Sequence, residues 1–180
     1  MVTDNFLGAG NQQERLETAG WVVGFTDGEG CFSVSIVRNK TSSIGWQVMP
    51  EVVVTQGEKS LDALKKLQSF FRCGNIFVNR RYDNHTENLF RFCVRSLKDL
   101  NEKVIPFFRK HRLDTAKRQD FEHFARIMDL MKEKRHLSLQ GVKQIAGIAS
   151  QMNVRKARAF LESSETIRQS RLRRQDIVRP

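Results

Sequence analysis

The sequence predicts an α+β domain with an αββαββα core, extended by further helices. Three observations predict it. Four short runs alternate apolar and polar residues and fall into two pairs, each around a polar turn. Longer segments with apolar residues every three or four positions stand before, between and after those pairs. The chain has 180 residues, enough for one domain with a core that needs neither disulfide nor zinc. Two hairpins imply a four-stranded antiparallel sheet with its helices on one face.

The elements follow in order. Residues 1–11 read as a loose leader. A helix runs from Gln12 to about Asp27, with Leu16, Ala19, Gly20, Val23 and Gly24 on one stripe. The first strand is Cys31 to Val37, where Phe32, Val34 and Ile36 alternate with Ser33 and Ser35. A turn-rich stretch from Asn39 to Gly45 leads to a second strand, Trp46 to Gln56, in which Val48, Val52 and Val54 share a face. Pro50 has no N–H for a ladder and argues for an edge or bulged position. Ser60 is a candidate N-cap for a helix through Phe71, striped by Leu61, Leu64, Leu67 and Phe71. Cys73-Gly74-Asn75 ends it.

Ile76 to Arg81 and Leu89 to Arg95 are the third and fourth strands, around the polar turn from Tyr82 to Thr86. Ser96 with Asp99 resembles a capping box. It opens a helix carrying Leu97, Leu100, Val104 and Phe107, which Pro106 should kink or end. A long helix from about Asp114 to Lys134 turns Phe121, Phe124, Met128 and Met131 inward, and a last one spans Ser138 to Met152. The organisation is thus a leader (1–11), a domain (12–153) and a basic tail (154–180). The sheet face away from the helices would carry Ser33, Ser35, Gln47, Glu51, Thr55, Asn79, Arg81, Arg91 and Arg95. A polar, cationic face of this kind is either a solvated surface or a binding surface.

Charge narrows the function. The net charge is +11 and the isoelectric point about 10.1, which points to a polyanionic partner, most commonly nucleic acid. The tail from Val154 to Pro180 holds eight Lys/Arg against three Asp/Glu, so the body remains basic without it. No apolar run approaches the length of a membrane span, and no secretory signal opens the chain, so an intracellular setting is expected, bacterial cytoplasm or organelle matrix. Cys31, Cys73 and Cys93 are odd in number and lack Cys-x-x-Cys spacing, the pattern of reduced thiols rather than zinc ligands. His85, His111, His123 and His136 are scattered without ligand spacing.

The segment from Gly20 to Gly30 carries the chemistry. Gly20, Gly24 and Gly28 recur every four residues on one side of a helix. Each helical glycine costs about 1 kcal/mol against alanine. A run of three calls for a compensating close approach of another backbone, which a missing Cβ permits. Two such helices packed face to face would bring their C-terminal ends together. Those ends carry unsatisfied carbonyls and partial negative charge, and a carboxylate there makes an oxygen-ligand cation site.

The segment Gly24-Phe25-Thr26-Asp27-Gly28-Glu29-Gly30 resembles the LAGLIDADG motif of homing endonucleases. Other segments extend the resemblance across about residues 12–153, in the family's order: Thr55-Gln56 at a strand end, Ile105-Pro106-Phe107-Phe108 before Leu113-x-Thr115-x-Lys117 and Asp120-Phe121, and His136-Leu137-Ser138 before Gln151-Met152-Asn153. Val22-Val23 replaces the family's Leu-Ala, and Glu29 stands where many members have Asp. The apolar helix near Gly141 to Gly147 has no acidic end and is not a second copy of the motif.

The resemblance implies a homodimer with Gly20, Gly24 and Gly28 at the two-fold axis. It implies a Mg²⁺-dependent double-strand DNA endonuclease, with Glu29 as the metal-binding acid and the Gly28 carbonyl as an extra ligand. Asp27 would close the helix by hydrogen bonds, Gln56 would order water near the metal, and Lys117 would activate water or stabilise phosphate charge, with Arg118 the alternative basic residue. The hairpins would then enter the major groove, where Arg81, Arg91, Asn79 and Gln47 are candidates for base edges, Glu51 for cytosine, and Ser33 and Ser35 for further contacts. Arg38 and Lys40, at the first turn, would grip phosphate. A symmetric dimer implies a long, roughly palindromic target. An intron RNA maturase on the same fold is the alternative, with intron RNA as partner. A DNA-binding regulator is a third reading, disfavoured because the tail is too short and polar for a helix-turn-helix.

Overall fold

The computed structural model describes residues 5–79 and 88–152, with side chains from 12 to 78 and from 88 to 152. The basic tail, the turn from Tyr82 to Thr86, Arg81 and the side chain of Asn79 lie outside the described residues. The elements are α1 (Asn5–Glu29), β1 (Gly30–Arg38), β2 (Trp46–Gly57), α2 (Leu61–Phe71), β3 (Asn75–Asn79) and β4 (Leu89–Val94). Then come α3 (Leu97–Asp99), a π-helical turn (Leu100–Val104), α4 (Ile105–Lys110), α5 (Lys117–Lys132) and α6 (Leu139–Ala149). The four strands form one antiparallel sheet, as two hairpins imply, and the pairing of β2 with β4 joins the hairpins in the order β1-β2-β4-β3.

The alternation of β1 and β2 turns Phe32, Val48, Val52 and Val54 toward the helices, where they meet Phe92 and Val94 of β4, Leu64 and Leu67 of α2, and Phe121, Phe124 and Met128 of α5. Phe32 is the hub of the aromatic packing, with ring centroids 5.3–5.6 Å from Phe108, Phe121 and Phe124. Phe121, Phe124, Met128 and Met131 are all buried, as their spacing predicts. The α5 and α6 termini differ from expectation by a few residues. Ser138 caps α6 by accepting from Gly141 N–H at 3.1 Å.

Several elements differ from the sequence reading for identifiable reasons. The first helix starts at Asn5, so residues 5–11 are helical rather than a loose leader. Once a helix exists, each added residue gains a hydrogen bond without a new nucleus, which offsets the glycines there. The buried stripe of α1 is Ala19, Val22 and Thr26, whereas Leu16, Gly20 and Gly24 are exposed on another side. Ser60 precedes α2 as expected, but its side chain makes no cap; a 3-10 turn, Glu58–Ser60, feeds the helix instead.

Pro50 sits in β2, which is an interior strand, opposite Val34 of β1. The β2–β4 ladder starts only at Val52, so at Pro50 the strand is flanked by β1 alone and the missing N–H costs no bond to β4. Pro106 neither ends nor breaks its helix. Ile105 N–H donates to Leu100 O across the π turn, and this wider turn makes room for the proline ring while the helix continues to Lys110. The Ser96 cap is as expected, accepting from Asp99 N–H at 3.2 Å.

Candidate active site and nucleic-acid interface

The site is built where α1 runs straight into β1. Thr26 and Asp27 are buried in the last turn of α1, while Gly28 and Glu29 are exposed. A Cβ on Gly30 would lie 2.6 Å from both Cγ2 and the carbonyl oxygen of Thr26, so the sharp passage from helix to strand depends on glycine there.

Asp27 fixes this corner to the segment that enters α5. Its Oδ2 accepts from the N–H groups of Asp114 and Thr115 at 2.9 and 3.0 Å, and its Oδ1 accepts from the Thr115 hydroxyl at 2.6 Å. Burial pushes the Asp27 carboxyl upward, but the Thr115 hydroxyl, the two N–H donors and the nearby Lys117 charge outweigh it and hold the pKa below its ordinary value. Asp27 is thus structural, as expected, although it ties α1 to the segment before α5 rather than closing its own helix.

The Thr115 hydroxyl also accepts from Lys117 N–H at 3.2 Å. Lys117 opens α5 and reaches back to α1, where its Nζ donates to the carbonyls of Thr26 and Gly28 at 3.2 and 3.1 Å. These are carbonyls of the last helical turn, the negative end of the helix. Burial lowers the Lys117 pKa, opposed by the charges of Asp27, Cys31, Glu29 and Asp120. Arg118, next along the chain, is exposed. The register Gly30↔Val54 carries β2 past the start of β1, so Thr55 and Gln56 lie beside the end of α1. The structure therefore brings Lys117 onto the Gly28 carbonyl beside Glu29, while Gln56 stands two residues beyond Val54 on β2.

The donor chemistry there suits a hard divalent cation. The Glu29 carboxylate and the Gly28 carbonyl are oxygen donors at an exposed helix end, and the Gly28 oxygen keeps a second lone pair beyond the one facing Lys117. Among the described residues no group of three or more His, Cys, Asp or Glu could hold an ion unaided. A cation at Glu29 would need further oxygens from a second subunit or a bound phosphate.

The glycine stripe is open. A Cβ added at Gly20, Gly24 or Gly28 would meet nothing within 4 Å. Nothing among the described residues of the subunit therefore requires these glycines. Leu16, 56% exposed, continues the same stripe one turn earlier.

The sheet face opposite the helices follows from the strand register. It carries Cys31, Ser33, Ser35 and Val37 of β1; Gln47, Met49, Glu51, Val53 and Thr55 of β2; Leu89, Arg91 and Cys93 of β4; and Asn75 and Phe77 of β3. Arg95 follows β4 on the same side. Gln47 is oriented by Asn39, whose Nδ2 donates to its Oε1 at 3.0 Å. Arg38 is in phase with the helix-side residues Val34 and Ile36 and stacks over Trp46 at 4.8 Å, so it flanks the hairpin rather than facing outward with Ser35. Lys40 is exposed in the adjoining turn. Glu51 is already engaged by Arg95 and, more loosely, by Arg91, which leaves it ill suited to cytosine.

Sequence reasoning treated this face as wholly polar. Met49 and Phe77, 40% and 47% exposed, also stand on it. Their phase in the strands was the available signal. Cys31, Cys73 and Cys93 are all thiols. No helix among the described residues is long and apolar enough to cross a membrane.

The comparisons with known proteins agree with this layout. The LAGLIDADG endonuclease family model matches residues 22–128, more than half of the chain. The probable intron-encoded endonuclease 2 of Neurospora crassa is 32% identical over 148 residues, covering 82% of this chain and 32% of that protein. This chain thus spans about a third of the length of that curated relative. Among solved structures, the homing endonuclease I-TnaI superposes with a TM-score of 0.69 at 38% identity, over 81% of this chain and 96% of that one. I-SmaMI, bound to an uncleaved DNA target in the presence of calcium ions, superposes with a TM-score of 0.67 at 33% identity, over 76% of this chain and 44% of that one. The residues matched by the family model take in the motif helix from Val22 onward, the whole described sheet and the Lys117 corner, and the chain belongs to the LAGLIDADG endonuclease family.

Proposed function

We propose that this chain is a site-specific double-strand DNA endonuclease that works as a homodimer with a divalent metal, Mg²⁺ in the cell. The observation that carries this reading is the corner at the end of α1, where Lys117 Nζ reaches the Gly28 and Thr26 carbonyls beside the exposed Glu29. RNA binding alone needs no carboxylate beside a phosphate, whereas phosphodiester hydrolysis uses one.

In the dimer the open stripe Gly20, Gly24 and Gly28 packs against its symmetry mate, and two Glu29 carboxylates come together at the base of the paired helices. They and the Gly28 carbonyls would hold the cation. When bound, that cation supplies Lewis-acid charge at the phosphoryl oxygen and a more acidic water. The chain's own residues do the rest. Gln56 orients the attacking water. Lys117, kept in place through Thr115 and Asp27, offers its proton donors to the negative charge that grows on the phosphoryl group. Water oxygen bonds to phosphorus as the bond to the 3′ oxygen breaks, and the water's protons pass to solvent and to that leaving oxygen.

The sheet face meets the major groove, with Gln47, Ser33, Ser35, Asn79, Arg81 and Arg91 toward bases and Arg38 and Lys40 toward phosphates. Phosphate contacts of this kind make affinity fall steeply with salt. The test is to incubate the protein and its Glu29→Gln variant with a randomised duplex library in Mg²⁺ and in Ca²⁺ and sequence the cut ends. Staggered, site-specific cuts that need Mg²⁺ and vanish in the variant are expected. Duplex that is bound but never cut in either metal would overturn the reading and point to structured intron RNA.

A further inference from the structure

On the outer sheet face, Glu51 of β2 stands between two arginines. Its Oε2 accepts from Arg95 Nε at 2.8 Å, and its Oε1 lies 3.6 Å from Arg91 Nη2. The Arg95 guanidinium lies over the Phe77 ring of β3, 5.8 Å from its centroid. Glu51 is the more sheltered partner, its side chain 23% exposed against 53% for Arg95. Glu51 is therefore the anchor and Arg95 the end presented to solvent.

Among the described residues, Arg95 meets the Glu51 anchor through Nε. The two terminal amino groups of the fork are left to donate outward. Arg95 also forms the wall between two hollows in the sheet face. One, of about 440 Å³, is lined by Gln47, Met49 and Glu51; the other, of about 110 Å³, is lined by Asn75, Phe77 and Cys93. An oriented guanidinium thus stands proud between two depressions.

Stability gives little reason for this pair, because an exposed ion pair contributes roughly 0–1 kcal/mol. A phosphate clamp gives little reason either. The Glu51 carboxylate cancels much of the pull that Arg95 would exert on a phosphate. What it leaves intact is direction: two N–H donors aimed along a fixed line, with side-chain freedom already restricted before binding. A directed pair of donors matches O6 and N7 of guanine, which accept side by side in the major groove.

We infer that Arg95, aimed by Glu51, reads one guanine in each half of the DNA target. Glu51 is a positioning residue and does not touch the base. This rests on the endonuclease reading above and deepens it, since it assigns a base to a residue.

The test is selection of bound duplexes from a randomised library in Ca²⁺, so that binding is read apart from cleavage. The protein is compared with its Arg95→Ala, Arg95→Lys, Glu51→Ala and Glu51→Gln variants. The unaltered protein should select guanine at one position per half-site. Arg95→Ala should lose that preference and bind the guanine duplex about tenfold to a hundredfold more weakly, with no change on duplexes altered at that pair. Arg95→Lys, which keeps the charge but not the fork, should lose the preference as well.

Glu51→Ala should relax the same position in part and leave every other position as it was. Glu51→Gln, whose amide oxygen can still accept from Arg95 Nε, should restore it. Uniform weakening of all duplexes by Arg95→Ala would mark a phosphate contact and overturn the inference. So would an unchanged guanine preference in that variant while selected sites are still bound and cut. An unaltered protein that selects no sequence at all would sink the endonuclease reading itself, a distinguishable failure.

Discussion

Asp27 grips Thr115 twice, through the hydroxyl at 2.6 Å and through the backbone N–H at 3.0 Å. The two residues lie 88 positions apart in the chain. The last turn of α1 and the entrance to α5 are thereby one rigid piece. The same threonine accepts from Lys117 N–H, so the direction of the lysine is set from its own backbone and from the carboxylate behind it. Asp27, through Thr115, thus governs where the Lys117 side chain starts from.

Asp27→Ala should destabilise the fold by about 2 kcal/mol, since three donors lose a charged acceptor. Asp27→Asn should cost less, because its amide oxygen can keep the two N–H donors while the Thr115 hydroxyl turns to accept from the amide. The pH dependence has a definite sign. The folded pKa of Asp27 is below its ordinary value of 3.8, so its contribution is complete above that value and is lost as pH falls through the lowered one. Thermal melts of both proteins from neutral to strongly acid pH should converge at the acid end. A gap that persists there would show that the hydrogen bonds do not depend on the charged carboxylate.

Glu29→Gln should abolish cleavage and leave both folding and DNA binding intact. Glu29 is exposed at the helix end, so its replacement disturbs no packing. Removing a carboxylate from beside a phosphate also removes repulsion, and affinity should hold or rise. Binding titrations and single-turnover cleavage with Mg²⁺ separate the two. Residual cleavage near the unaltered rate would place the metal elsewhere.

Lys117→Met should slow turnover by about a hundredfold, the range of one positioned proton donor, with a much smaller effect on affinity. Arg118→Ala should leave turnover near that of the unaltered protein, because Arg118 is exposed whereas Lys117 faces the end of α1. Single-turnover rates on a selected site decide between them, and the reverse ranking would make Arg118 the working cation. The sequence left these neighbours open; the tether through Asp27 and Thr115 favours Lys117.

The strands, their pairing and the inward faces of α2 and α5 were legible because alternation and helical spacing report burial directly. The motif glycines and Glu29 were legible because a carboxylate after a glycine-rich helix end is a rare local pattern. Three features were not. The Asp27–Thr115 bond joins distant segments, and no local period encodes it. The proline ring's clash with its own helix was legible at Pro106, but not that a π turn, rather than a kink or a stop, would relieve it. The engagement of Glu51 by Arg95 depends on the offset between β2 and β4, which hairpin counting leaves unset by a residue or more. A slip of one would send Arg95 to the helix face.

Gly24→Leu and Gly30→Ala separate the two uses of glycine in the motif. A side chain at Gly24 has open space within the subunit and relieves a helix-propensity cost of about 1 kcal/mol, so the lone subunit should stay folded and melt no lower. The added bulk would stand where the proposed dimer brings a second helix, so sedimentation should show a monomer, and paired cutting should fail. At Gly30 the added methyl would meet Thr26 at 2.6 Å, backbone oxygen included. Gly30→Ala should therefore lower stability by about 2 kcal/mol, the usual cost of overpacking. A Gly24→Leu protein that still sediments as a dimer would remove the stripe from the interface, and the open face of α1 would then require another explanation.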